Sequence, residues 1–212
     1  YYLVHNVTSA SAWDRLSSLG FEDWVAEQKR SGRITNIGFS YHGPKADFPA
    51  LLDSFGWDFC QIQYNYMNED YQAGTAGLMA AAERGLPVIV MEPLLGGKLA
   101  SELPAGARRA LSDAGLSDDP VRLALRWVWN HPEVAVVLSG MNTLDQLSQN
   151  AETADSAFPG SLEAAEETAI KKAREHIAQN YRIPCTGCGY CMPCPKGINI
   201  PMCFAAYNTS FA

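Results

Sequence analysis

"GRITNIGFSYHG", residues 32–43, carries the three signals that decide the fold. Gly32 stops a helix. Residues 34–39 form a short apolar run, rich in β-branched residues and without clean alternation, which suits a strand covered on both faces. Ser40-Tyr41-His42-Gly43 then ends that strand in polar groups. Working outward, similar runs recur as "YYLV" at 1–4, "FCQIQ" at 59–63, "PVIVM" at 87–91 and "VAVVL" at 134–138. Between them lie "FEDWVAEQKRSG", "ADFPALLDSFG" and "AGTAGLMAAAERG", closed by Gly32, Gly56 and Gly85, and "DPVRLALRWVWNHP", opened by Asp-Pro. Gly at a C-terminus and Pro in a first turn are helix punctuation. The β-α alternation predicts an α/β fold with a parallel sheet.

Each of the five strands ends in polar residues: His5-Asn6, Ser40 to Gly43, Gln63-Tyr64-Asn65, Glu92-Pro93, and Ser139-Gly140-Met141-Asn142. Polar residues often end strands. Five such ends on the one face that parallel strands share point further, because parallel α/β enzymes bind and react at that face. The rival architecture, an open dinucleotide-binding sheet, needs G-x-G-x-x-G after its first strand, and that motif is absent.

A helix is expected over 161–181, from a Ser161 N-cap, with early glutamates and later basic residues matching the macrodipole. Its modest apolar stripe suggests docking on the outside of the main body. The chain then changes character at about Tyr181, giving a main body at 1–181 and a small segment at 182–212. There "CTGCGYCMPCPKG", residues 185–197, sets four cysteines at three-residue intervals, followed by Cys203, while Cys60 lies apart. A disulfide network among such close neighbours is geometrically unfavourable. Zinc sites join two Cys-x2-Cys knuckles across a long spacer, absent here. Three successive x2 steps ending in Cys-Pro instead resemble the ferredoxin run around a [4Fe–4S] cluster, although ferredoxins have three residues before the last Cys. The candidate ligands are Cys185, Cys188, Cys191, Cys194 and Cys203, with either Cys194 or Cys203 closing the fourth vertex; zinc, and redox-active or inert thiols, are the alternatives.

The chain has 212 residues, 47% hydrophobic and 18% charged, and a net charge of −7, which suits a globular protein and argues against nucleic acid as a partner. No apolar stretch is long enough to span a membrane. Clustered thiols suit a reducing compartment, so a cytoplasmic location is expected. The opening run "YYLVHN" begins inside a strand, which leads to the expectation that sequence precedes Tyr1.

Taken together, "YYLVHN", "GRITNIGFSYHG", "QIQYNYMNE", "VIVMEPLLGGKLA", "LRWVWNHPEVAVVLSGMNTLDQLSQN" and "CTGCGYCMPCPKGINIPMCF" resemble, in order, an aldo-keto reductase of the branch with a C-terminal ferredoxin-type segment. The resemblance implies a partial (β/α)8 TIM barrel, strands four to eight, with a small C-terminal iron–sulfur segment. It implies an oxidoreductase moving hydride between NADP or NAD and a small carbonyl substrate, with an electron-transfer partner as a further possibility. The family's catalytic Tyr, Asp and Lys would precede Tyr1, so His5 alone remains of the catalytic set, and the isolated chain is expected to be inactive. By the same resemblance Ser40 and Gln63 hold the nicotinamide carboxamide, with Tyr41 where many members have Asn. Pro93, Leu94, Gly96 and Gly97 match the pyrophosphate loop, and Gly140, Met141, Asn142, Gln146 and Asn150 the adenosine end. NADP-preferring members place Lys or Arg where this chain has Gly140, Asn142 and Gln146, which leaves Lys98 as the cation available to a 2′-phosphate. An electron-transfer module and a nonenzymatic barrel with a structural metal clip are the alternative readings.

Overall fold

The computed structural model describes residues 1–116, 119–183, 185, 187 and 189–210. They divide into two compact units: Tyr1–Pro93 with His131–Met141, and Leu94–Asn130 with Asn142–Ala212. No described helix is long and apolar enough to cross a membrane.

The first unit is built on a five-stranded sheet of β1 (Tyr2–Val7), β2 (Ile37–Tyr41), β3 (Phe59–Gln63), β4 (Val88–Met91) and β5 (Val134–Val137). Spatial order follows chain order and every pairing is parallel. Helices α1 (Ala10–Ser18), α2 (Phe21–Arg30), α3 (Phe48–Leu52) and α4 (Gly74–Glu83) belong to the same unit. Phe39 and Tyr41 pack on the Phe48 ring of α3, and Phe39 also meets Trp57 with ring centroids 4.7 Å apart. Strand alternation therefore gives Phe39, Tyr41, Cys60, Ile62, Val88 and Val90 to the helix-covered face, where all are buried. Gly38 is obligatory on the other face, because a Cβ there would stand 2.5 Å from the Phe59 ring and carbonyl.

The second unit contains α5 (Lys98–Ser101), α6 (Ala105–Ser112), α7 (Pro120–Trp129), α8 (Leu144–Ser156), α9 (Ala164–Asn180) and α10 (Ile200–Thr209). Asp119 caps α7 by accepting from the Arg122 N–H at 2.8 Å, with Pro120 in the first turn. Helix α6 lies so close to α9 that a Cβ on Gly106 would fall 2.6 Å from the His176 ring. Arg126 of α7 holds the Glu166 carboxylate of α9 through two guanidinium nitrogens and also donates to the Ser161 carbonyl.

Boundaries differ from expectation in informative ways. β1 runs on to Val7, so His5 and Asn6 lie inside the strand rather than beyond it, and β2 extends through Ser40 and Tyr41. Helix α9 starts from Glu163, not Ser161. The Ser161 hydroxyl accepts from the Phe158 N–H and its carbonyl serves Arg126, while Glu163 and Glu166 make a reciprocal capping box.

Candidate functional site

Polar strand ends collect on the face of the sheet opposite the α3 helix. Ser40 pairs in register with Gln61, and Gln63 with Met91. By alternation Ser40, Gln61, Gln63 and Met91 share that face, joined by His5, which neighbours the helix-side Val4. His5 is exposed, whereas Ser40 and Gln63 are buried. At the bulge between Val4 and Val7, Asn6 adopts φ 62° and its N–H leaves the ladder for the Ser40 Oγ at 2.7 Å. Ser40 thus has a structural task, its Oγ accepting from the Asn6 N–H.

Tyr41 is turned away from this face. Its hydroxyl donates to the Pro44 carbonyl at 2.5 Å, and burial, reinforced by Asp47, pushes its pKa up to about 12. His42 follows it; burial first, and the charge of His5 second, hold its imidazole below the ordinary histidine range.

Gln63 carries the informative signal. It is 4% exposed, and its Nε2 has no hydrogen-bond partner among the described residues. A buried amide donor left open is costly unless something outside the chain accepts from it. Nearby in sequence, the fully buried Asn65 donates to the Glu92 carbonyl at 2.9 Å and accepts from the N–H groups of Met67 and Asn68 at 3.0 and 3.1 Å. It thereby fixes Glu92 at φ 56°, just before the buried Pro93. Neither Asn65 nor the bulge at Asn6 was expected to do this work, although both positions were visible as polar strand ends.

In the second unit, Leu94 is half-buried and Gly96 and Gly97 turn the chain at φ 65° and 88° into α5. Among the described residues nothing lies within 4 Å of the space a Cβ on Gly97 would occupy. Asn142 donates its N–H to the Gln146 Oε1 at 2.9 Å, and Thr143 caps α8 by accepting from the Gln146 N–H. Asn150 is buried on α8, whereas Gly140 and Met141, at the end of the first unit, are exposed. A separate cavity of about 550 Å³ lined by Ser101, Arg108, Arg109 and Ser112 contains none of the expected residues among its described lining.

Cys185 and Cys194 are half-buried, Cys191 and Cys203 exposed, and all four are free thiols; Cys188 lies outside the described residues. Gly187 and Gly189 take φ 76° and 77°, bending the chain between cysteines. The tail folds back: Cys203 lies on α10, whose Asn208 donates to the Ile183 carbonyl at 2.8 Å and accepts from its N–H at 3.0 Å. Among the described residues no three His, Cys, Asp or Glu side chains converge as a metal site. Cys60 is buried, its pKa pushed up to about 12 by desolvation, which makes it an inert thiol.

The aldo/keto reductase family model matches residues 2–167. The chain belongs to the aldo/keto reductase family. "Uncharacterized oxidoreductase YrpG" of Bacillus subtilis (strain 168) is 28% identical over 172 residues, 69% of this chain and 50% of that protein. Among solved structures, the apo form of aldo-keto reductase AKR11C1 from Bacillus halodurans is 25% identical with a TM-score of 0.61, covering 81% of this chain and 60% of that one. Its holo form gives a TM-score of 0.55 over 70% of this chain and 53% of that one, again at 25% identity. The chain thus spans about half the length of the curated relative it matches. Its five parallel strands match part of the family's (β/α)8 barrel.

Proposed function

We propose that this aldo/keto reductase chain supplies the part of an oxidoreductase site where NADH or NADPH presents its nicotinamide to a small carbonyl substrate. The open Nε2 donor of buried Gln63 carries this reading. A carboxamide oxygen placed beside Gln63 and Ser40 would satisfy that donor and take the Ser40 hydroxyl proton. The dinucleotide, when bound, supplies the hydride. His5 then orients the substrate carbonyl by donating a hydrogen bond to its oxygen. Pro93, Leu94, Gly96 and Gly97 would border the pyrophosphate, the open space at Gly97 admitting close approach of the backbone. Gly140, Met141, Asn142, Gln146 and Asn150 would serve the adenosine end. No Lys or Arg stands in 138–158, so both dinucleotides remain substrates for the test. His5 is the one member of the catalytic set that the resemblance assigns to these residues, so we expect binding without turnover by this chain alone.

The spacing of the cysteines in residues 182–212 is what favours a [4Fe–4S] cluster, with thiols at x2 steps and left-handed glycines at 187 and 189 between them, whereas the described thiols do not themselves converge as a metal site. Cys185, Cys188 and Cys191 would hold it, with Cys194 or Cys203 as the fourth ligand. We assign it a structural role, because hydride moves two electrons together and no flavin motif is present to divide them between the dinucleotide and a one-electron cluster. The two-bond clamp of Asn208 on Ile183 favours a segment built to hold shape.

Fluorescence titration of the chain with NADH and NADPH tests the reading. Gln63→Ala should weaken binding about five- to tenfold, the worth of one hydrogen bond. Absence of binding by the unmodified chain would reject it.

A further inference from the structure

The cavity of about 550 Å³ lies wholly within the second unit and has the size of a small-molecule pocket. The end of α5, the second half of α6 and Pro120 at the start of α7 line it. Leu103 and Leu111 are buried and give it an apolar floor. Arg108, Arg109, Ser112 and Asp113 stand exposed around its rim. Arg108 is held in place, its Nε donating to the Leu103 carbonyl at 2.8 Å and its Nη2 to the Ser101 carbonyl at 3.3 Å. Those bonds use two of its five N–H groups. The Arg109 guanidinium makes no hydrogen bond or ion pair among the described residues. Neighbouring charges are engaged elsewhere: Lys98 donates to the backbone carbonyl of Cys185, and Glu102 accepts from the Tyr181 hydroxyl at 3.0 Å.

We propose that this cavity is a binding site for a small organic monoanion, a carboxylate carrying an apolar chain. Two guanidiniums against the Asp113 carboxylate leave one net positive charge, in a chain whose net charge is −7. That balance suits a single negative charge, whereas a phosphate dianion would keep one charge unmatched beside Asp113. The planar fork of an arginine matches the two oxygens of a carboxylate, and the Ser112 hydroxyl is a further donor at the rim. Leu103 and Leu111 receive the chain, each buried methylene being worth about fourfold in affinity. No residue of the Gln63 face and no cysteine takes part.

The test titrates the full ¹⁵N-labelled chain with octanoate, with octanol as the same chain uncharged and acetate as the same charge without the chain. Octanoate should shift the Arg108 and Arg109 side-chain Nε–H signals saturably. By calorimetry it should bind at least tenfold more tightly than either control. Arg109→Gln should weaken octanoate about tenfold, the worth of one hydrogen bond to a charged group. Ser112→Trp, at an exposed position, keeps both arginines but fills the cavity, and should abolish binding. If Ser112→Trp fails to fold, Arg109→Gln, also exposed, still decides. Octanol or acetate binding as tightly as octanoate, shifts that never saturate, or octanoate affinity unchanged in Arg109→Gln would overturn the proposal.

Discussion

Asn65→Ala should destabilise the chain well beyond a typical substitution. Asn65 is fully buried and makes three hydrogen bonds, one to the Glu92 carbonyl and two from the Met67 and Asn68 N–H groups. Each such bond contributes a net ~0.5–1.5 kcal/mol, so their loss together costs about 3 kcal/mol, more if the stranded groups stay dry. For a chain of this size that lowers the melting temperature by roughly 6–12 °C. Urea unfolding followed by tryptophan fluorescence reads the change as a shifted midpoint at constant slope. The Glu92 carbonyl is held at a left-handed residue, so the loosened loop should also weaken NADH binding. A loss below about 0.5 kcal/mol, the range of inert surface changes, would refute the view that Asn65 clamps the end of β4.

Arg126→Ala should cost about 3–5 kcal/mol in the same assay, because it leaves the Glu166 carboxylate, 9% exposed, unpaired; a change near zero would contradict this. His42 has a folded-state pKa held below the ordinary ~6.5, so its contribution to stability is present above that value and is lost as pH falls from there through the folded pKa. Ring resonances of His42 should therefore titrate on the acid side of a model histidine, and His42→Gln should flatten that part of the stability profile; titration at or above the ordinary value would refute it. Anaerobically reconstituted chain should carry about four iron and four sulfide, lost in Cys185→Ser, Cys188→Ser and Cys191→Ser. The fourth ligand is whichever of Cys194→Ser and Cys203→Ser also loses it, and stoichiometric zinc without sulfide would sink the cluster.

β1 to β4 were legible because each buries at least one face, a demand that short apolar runs betray directly, whereas the β5 run, expected to be covered, has only half-buried and exposed residues and was legible from its valines alone. Helices were less so. α1 is a short helix whose main sign is the Ser9 cap, accepting from Ala12. α10 carries a clear start in Asn199 and Pro201, but its cysteine and weak polar periodicity made it read as tail. The cap of α9 went wrong because Ser161 was claimed by Arg126 and Phe158, tertiary partners that local sequence does not announce. At the candidate site, Ser40 and Gln63 were visible in the sequence as polar strand ends, while their assignment to the nicotinamide rests on the family resemblance. The contact of Lys98 with Cys185 spans 87 residues and has no local signature.

The open amide of Gln63 is the most direct handle on the central claim, that this sheet face receives a nicotinamide. In ¹⁵N-edited spectra of the chain, NADH should shift the Gln63 side-chain NH₂ pair and give an intermolecular Overhauser contact to the nicotinamide ring, and Gln63→Ala should remove those signals while weakening binding. NADH that binds while the Gln63 amide stays unshifted and shows no such contact would contradict the account.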